Sequence, residues 1–326
     1  MRAAVYDRTG PAHEVLQIID MPTPAAGPGE VRIRLQASGV NPSDVKSRGG
    51  MRPMPFPRMI PHSDGAGVID QAGAGVPEER VGERVWTWNA AWQRPHGTAA
   101  EYIVLPAIQA VPLPPDVDMA VGACLGIPAL TAYHAVNVDG GVVGKRVFIP
   151  GGAGAVGHYA IQMARLMGAK QVITTVSGPE KAVLAKQAGA DLVLNYRTDD
   201  VSAAVQQATR GEGVDRIIEV DFAANLDTNL QIVKTDGQII VYGSSAPELS
   251  APFYPLVLKN IGLKFFILYN LDAGTRARAT EHLTAMLEKN SLQHNIAARL
   301  PLEQIADAHE MVRQGQAMGN VVILIK

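Results

Sequence analysis

The sequence predicts an α/β protein in which a small β-rich domain is joined to a parallel sheet with covered faces. Three observations carry that prediction. At 326 residues the chain is about twice the usual length of a single domain. Its first part holds short alternating runs broken by glycine and proline. From about Leu125 onward, short apolar runs instead alternate with helical segments, the pattern of a parallel sheet.

In the first part the strand-like runs are Arg2 to Tyr6, Val31 to Ala37, Gly67 to Ala72, Arg84 to Trp88 and Ala99 to Val104, with turns such as Ala26-Gly27-Pro28-Gly29 between them. Prolines alternate with bulkier residues from Met51 to Arg58, so this segment should be an extended loop outside any ladder, either a substrate mouth or a surface connection. Trp86 and Trp88 fall on one face of their run, and with Trp92 they read as packing. In the second part the strands are Arg146 to Ile149, Gln171 to Val176, Asp191 to Asn195, Asp215 to Val220 and Gln238 to Tyr242. Helices follow over Ala273 to Glu288 and over Leu302 to Arg313, the latter started by Pro301, and Val321 to Ile325 closes the chain as a strand. Because the last stretch lacks the repeating strand-helix unit, it should return to the first domain. The expected division is 1–124 completed by 270–326, with 125–269 between them.

Composition narrows the function. Hydrophobic residues make up 47% of the chain and charged ones 18%, so a full core can form and disorder is excluded. Lys+Arg of 29 against Asp+Glu of 31 leaves a net charge of -2 without a basic tract, so nucleic acid is not the expected partner. One cysteine, Cys124, allows neither an internal disulfide nor a multi-cysteine metal site. With no signal-peptide core at Met1 to Gly10 and no run of membrane-span length, we expect a soluble, cytoplasmic protein without a membrane partner.

The chemistry sits at Val147 to Gly157, where an apolar strand runs into Gly151, Gly154 and Gly157 and then into a helix marked by Val156, Ala160, Ala164 and Met167 and ended by Gly168. Glycines at this spacing permit a tight turn, close backbone approach to a pyrophosphate and close helix packing, with the helix N-terminus facing the anion. Inside a βαβ unit this predicts a dinucleotide site. The next strand ends Thr175-Val176-Ser177-Gly178-Pro179-Glu180-Lys181, without the tip acid that grips NAD ribose hydroxyls. Ser177 and Lys181, with Tyr196 and Arg197 beyond the third strand, suit a 2'-phosphate instead, so the expected cofactor is NADPH.

These residues and several further strings together resemble the medium-chain dehydrogenase/reductase superfamily, and within it the zeta-crystallin-like quinone oxidoreductases. The strings are Gly39-Val40-Asn41-Pro42-Ser43-Asp44, Pro61 to Ile69, Gly126 to Tyr133, Gly151 to Gly157, Ile217-Ile218-Glu219-Val220, Gly237 to Ser244 and Ala306 to Glu310, which span nearly the whole chain in the family's order. The resemblance implies a GroES-like, β-rich catalytic domain and a Rossmann doubly wound parallel-sheet domain, with nicotinamide and substrate meeting in a cleft. It assigns Ala153, Gly154, Ala155 and Val156 to the phosphates, and Ser177, Lys181 and Tyr196 to the adenosine phosphate. Asn225, Tyr242, Gly243, Ser244, Phe266, Ile267 and Leu268 would line the nicotinamide half. Asn41, Lys46 and Thr131 would come from the catalytic side, and Gly319 and Asn320 from the tail. The sequence departs from the pattern at Gly152, where relatives often have alanine, and at Lys46, where many have tyrosine.

Zinc-dependent members of the superfamily carry cysteine and a His-Glu pair where this chain has Asn41 and Ser63-Asp64, so no metal is expected, His62 being the nearest candidate ligand. Without a Lewis acid, substrates that are already electrophilic, quinones or activated alkenes, are the expected small-molecule partners, with Asn41 the catalytic residue orienting a carboxamide or a substrate carbonyl. An enone or enoyl-thioester reductase is the alternative enzyme, and an RNA-binding or structural crystallin-like role the non-enzymatic one. Tyr133, Asp44 and Tyr6 are equal candidates for a general acid. The apolar run Ile261 to Leu268 lies where relatives pair across a two-fold axis, which implies a homodimer.

Overall fold

The structure, a computed structural model, describes every residue except Gln316. The chain packs as two compact units: Met1–Leu130 with Thr280–Lys326, and Thr131–Ala279. The first break therefore follows Leu130 where the sequence pattern put it after 124, because the turn Leu125–Ala129 packs on two strands of the first unit. The second follows Ala279, within the helix Ala273–Glu288, rather than residue 269.

In chain order the strands of the first unit are β1 (Arg2–Val5), β2 (Gln17–Asp20), β3 (Glu30–Val40), β4 (Asp64–Ala72), β5 (Arg84–Thr87), β6 (Tyr102–Pro106) and β7 (Ala110–Pro112). The second unit holds β8 (Arg146–Pro150), β9 (Gln171–Val176), β10 (Leu192–Asn195), β11 (Val214–Glu219), β12 (Val233–Val241) and β13 (Gly262–Phe265); β14 (Ile296–Pro301) and β15 (Asn320–Leu324) return to the first. The helices are α1 (Ala12–Val15), α2 (Pro42–Arg48), α3 (Met119–Gly122), α4 (Leu130–Asn137), α5 (Ala155–Leu166), α6 (Pro179–Gln187), α7 (Val201–Ala208), α8 (Phe222–Ile232), α9 (Phe253–Leu258), α10 (Ala273–Glu288) and α11 (Ile305–Arg313).

The first unit is organised on β3. Its Val31, Ile33, Leu35 and Ala37 alternate into the core, while β4, β6 and β15 all pair with it antiparallel. The tail thus completes this sheet, in the order β14-β15-β3-β4-β5-β7. Where the sequence suggested a strand over Ala99 to Val104, β6 starts at Tyr102, since Ala99 is taken up by bonds to Ala4 and Pro61. The helix expected from Leu302 opens as a 3-10 turn, Leu302–Gln304, before α11. Trp86 is fully buried on β5, and Trp88 lies one residue past its end, half-buried.

The second unit is a six-stranded sheet in the order β10-β9-β8-β11-β12-β13, with every pairing parallel. The chain starts in the middle at β8, winds outward to β10, then returns to β11 beside β8 and winds the other way. The C-terminal ends of β8 and β11 are therefore the switch point at which such sheets bind ligands. Arg216, fully buried on β11, closes the C-terminus of α4 by donating to the carbonyls of Val136 (3.1 Å), Val138 (2.7 Å) and Asp139 (2.9 Å).

Candidate functional site

At the end of β8 the chain must reverse sharply, and Gly151 does so with φ +76, a left-handed conformation open to glycine. The amides of Gly151 and Gly152 donate to Thr175 O at 3.1 and 3.0 Å, and Gly154 closes the turn on Gly151 O at 2.9 Å before α5 begins. A Cβ on Gly157 would lie 2.3 Å from Gly151 O, so that position has no room for a side chain. Ala155 and Val156 form the first turn of α5, whose leading amides have no partner within the helix and suit an anion. Ala153 is buried beneath the turn, and Gly168 (φ +82) ends the helix region.

A cleft of about 590 Å³ opens here, lined by Gly151, Thr175, Tyr196, Asp200, Asp221 and Asn225 among others. Tyr196 is 55% exposed on its rim. Ser177 and Lys181, just past β9, are half-buried and do not line it, and Arg197 is exposed. Carboxylates were not anticipated at the cleft, yet Asp199, Asp200 and Asp221 line it. Each also holds backbone: Asp199 accepts from the Asn195 amide at 2.8 Å, Asp200 from Ala203 at 2.9 Å, and Asp221 from Ser245 at 2.8 Å. Glu219, fully buried at the end of β11, accepts from the Asp221 amide (2.6 Å), Asn225 (2.9 Å) and Asn229 (2.6 Å), which fixes Asn225 at the cleft wall.

The structure brings Tyr242 and Phe266 together, ring centroids 6.4 Å apart, and sets His134 edge-on to Phe266 at 4.6 Å. Burial pushes the Tyr242 phenol above its ordinary value, with Glu219 adding to the effect. Gly243 sits so close to β11 that a Cβ would meet Val220 O at 2.2 Å. Ser244 Oγ bonds Ala246 O at 2.8 Å. Ile267 is half-buried, while Leu268 and Thr131 are buried.

In the first unit Asn41 is the N-cap of α2, paired with Asp44 in a capping box whose Asn41 N to Asp44 Oδ2 bond is 2.8 Å. Its side-chain Nδ2 donates to Asp64 Oδ2 at 2.8 Å, and all three residues are buried. Desolvation raises the Asp44 carboxyl to about 7 and Asp64 well above the usual range. That distinguishes Asp44 and Asp64 from ordinary surface acids. Tyr6, likewise buried, is pushed up to about 12. Lys46 is exposed on α2. Asn320 Nδ2 donates to Asn295 O at 3.0 Å, and Gly319 (φ +124) makes the turn beside it. A second polar chain crosses this interior. His62 bonds Ser38 Oγ through Nδ1 (2.8 Å) and His309 Nε2 through Nε2 (2.9 Å), and Ser38 bonds Thr98 Oγ1 (2.8 Å), which donates to Asp64 O. Burial lowers His62 to about 3 and His309 well below its usual value.

A glycine turn at the switch point of a doubly wound sheet, in a chain that also holds a unit of β-rich architecture, defines a nucleotide-binding α/β protein of the dehydrogenase kind. Residues 27–115 match the model of the alcohol dehydrogenase GroES-like domain and residues 155–288 that of the zinc-binding dehydrogenases. The chain is 32% identical to the quinone oxidoreductase of Homo sapiens over 100% of its length and 98% of that protein, and 30% identical to the 2-haloacrylate reductase of Burkholderia sp over 99% and 98%. Among solved structures it resembles an NAD-dependent alcohol dehydrogenase (29% identity, TM-score 0.92) and a mycobacterial protein complexed with NADPH (29%, 0.90), each covered over 100% of both chains. The chain belongs to the medium-chain dehydrogenase/reductase family, has its GroES-like and Rossmann-type parts, and is an oxidoreductase for which a nicotinamide cofactor is supported.

The description of one family model includes zinc, but the side chains at the corresponding positions do not fit that ion. Asn41 Nδ2 is committed to Asp64, both ring nitrogens of His62 are bonded within the protein, and buried Cys124 donates to Ala120 O at 3.2 Å. Among the described residues no group of three or more His, Cys, Asp or Glu is placed to hold a metal. Nor, among them, is any helix long and apolar enough to cross a membrane.

Proposed function

We propose that this oxidoreductase takes NADPH and reduces quinones or other activated double bonds without zinc. The observation that carries the reading is the Asn41–Asp64 hydrogen bond, which occupies the position where zinc-dependent relatives need metal ligands. The names of relatives, a quinone oxidoreductase and a 2-haloacrylate reductase, favour an acceptor with an activated double bond. The turn Gly151 to Gly154 and the α5 N-terminus would hold the pyrophosphate, Ser177, Lys181 and Tyr196 the 2'-phosphate, and Tyr242 and Phe266 the nicotinamide side. When bound, the nicotinamide supplies the hydride; Asn41 orients the acceptor carbonyl, and placement supplies several kcal/mol of the rate gain. A cytoplasmic setting suits the single buried cysteine.

NADH is the second reading, since Asp199, Asp200 and Asp221 line the cleft and bring no positive charge to a phosphate. Steady-state assays of NADPH and NADH against quinones, enones and enoyl-CoA thioesters, before and after exhaustive chelation, test the whole proposal. Turnover should survive chelation and favour NADPH. Lys181→Ala should raise the NADPH KM by roughly 10- to 100-fold, as loss of a charge-assisted bond would, and leave NADH nearly unchanged. Equal weakening of both cofactors overturns the phosphate assignment, and zinc-restored activity overturns the reading of Asn41.

We further propose a homodimer through β13. This strand is the free edge of its sheet, Phe265 on it is 57% exposed, and Phe253 (69%) and Leu258 (76%) are exposed on α9. Phe265→Asp should give a monomer with weakened NADPH binding; sedimentation of the unmodified protein as a monomer at micromolar concentration refutes the dimer.

A further inference from the structure

A carboxyl group fully removed from water needs a reason, because an apolar side chain of the same size would cost the fold nothing in desolvation. Asp64 is such a group. It stands at the start of β4 opposite Gly39 of β3, and two glycines wall it in. A Cβ on Gly126 would lie 2.5 Å from Asp64 Oδ1, and one on Gly39 would lie 3.2 Å from Asp64 Cβ. Thr98 holds its backbone carbonyl. Among the described residues, Asn41 is the side chain that bonds its carboxylate, at 2.8 Å. Asn41 in turn is held at its backbone by the Asp44 carboxylate, and its side chain takes part in the same capping box.

A carboxamide rotated by half a turn exchanges a donor for an acceptor, which would invert what Asn41 offers a ligand. Asp64 settles that choice, since an acceptor oxygen at 2.8 Å requires the nitrogen end to face it. The capping box asks for the oxygen end on its own side. The Asn41 side chain also hydrogen-bonds the Asp44 carboxyl, so two buried acids hold the carboxamide from either side. We propose that Asp64 is a positioning residue that fixes the orientation of the Asn41 carboxamide, the group that orients the carbonyl of the electron acceptor. This rests on the reading of Asn41 given above. Burial raises the Asp64 carboxyl well above its usual range, against the opposing hydrogen bond from Asn41.

A double-mutant cycle in the full-length protein tests it, with NADPH and a p-quinone as probes. Asp64→Ala and Asn41→Ala should each lower kcat by roughly 10- to 100-fold, the loss expected when one oriented hydrogen bond at a reacting group is removed. The double variant should fall no further than Asn41→Ala alone. The NADPH Kd, from fluorescence titration, should stay within about twofold, because the glycine turn belongs to the other unit. Asp64→Asn, which keeps an acceptor oxygen, should restore most of kcat. In nitrogen-correlated NMR spectra the Asn41 side-chain NH2 pair, assigned by its loss in Asn41→Ala, should shift in Asp64→Ala and much less in Asp64→Asn, a readout that needs no turnover. Losses that multiply in the double variant, or unchanged kcat in a folded Asp64→Ala, overturn the positioning role. Unchanged kcat in Asn41→Ala with the NMR shift still present overturns the role of Asn41 instead. Should Asp64→Ala not fold, the comparison of Asp64→Asn with Asp64→Leu by the same two readouts decides.

Discussion

Between β8 and α5 the second unit is held by main-chain bonds, the amides of Gly151, Gly152 and Gly154 donating to backbone carbonyls, whereas the polar interior of the first unit is made of side chains that meet from distant stretches of sequence. The difference teaches where each site is vulnerable. A backbone cradle tolerates any side chain that stays out of it and fails when a Cβ enters. A side-chain cluster tolerates no loss of a partner, and its strength varies with pH.

The largest effect should come from filling the cradle. Gly157→Val puts a carbon against Gly151 O and should destabilise the second unit by about 3 kcal/mol while abolishing dinucleotide binding. Thermal melts and fluorescence titration check this, and normal binding would refute the close-approach argument. Next is Arg216→Met, which leaves the last carbonyls of α4 buried without their donor, at about 2 to 3 kcal/mol by urea titration.

The third test separates the two kinds of titrating group in the first unit. His62 and His309 have lowered folded values, so the stability they contribute is present above the unfolded value of about 6.5 and is lost as pH falls, for His62 through about 3. The destabilisation caused by His309→Leu should therefore be greatest above pH 6.5 and shrink in acid. Asp44 and Asp64 have raised values, so their contribution is present below the unfolded value of about 3.8 and is lost as pH rises, for Asp44 through about 7. Asp64→Asn should consequently gain on the unmodified protein as pH rises over that range. Urea midpoints at pH 4, 5.5, 7 and 8 give both differences, and parallel curves would refute them. The smallest effect is expected at the exposed Arg299–Asp118 pair (2.6 Å), where Arg299→Ala should cost no more than about 0.5 kcal/mol.

Much of the fold was legible because it is locally encoded. β9 and α10 match the runs Gln171 to Val176 and Ala273 to Glu288 end to end, since a period of two or of 3.6 is written in consecutive residues. The glycine turn was legible for the same reason. β12 extends back to Val233 through the polar stretch Lys234-Thr235-Asp236, which no apolar pattern marks; there the irregular pairing with β11 carries the strand. Asn41 was singled out but not its bond to Asp64, because partners 23 residues apart, one at the N-cap of α2 and one at the start of β4, leave no spacing to detect. His62 and His309, 247 residues apart, leave still less. Glu219 did leave a trace, a lone acid closing the apolar run Ile217-Ile218, followed by Asn225 and Asn229 on what becomes one face of α8.

The chain of hydrogen bonds that runs from Asp64 O to His309 has one direction only. A carbonyl cannot donate, so Thr98 spends its one hydroxyl hydrogen on Asp64 O, and Ser38 must spend its own on Thr98. His62 then carries its hydrogen on Nδ1 and turns a bare Nε2 toward His309, whose hydrogen is accordingly on Nε2. The two imidazoles are thus opposite tautomers, and the bare lone pair displaced along the chain comes to rest on His309 Nδ1, which is buried without a hydrogen-bond partner among the described residues. Nitrogen-15 spectra of the two rings should therefore be mirror images of one another, δ-protonated for His62 and ε-protonated for His309.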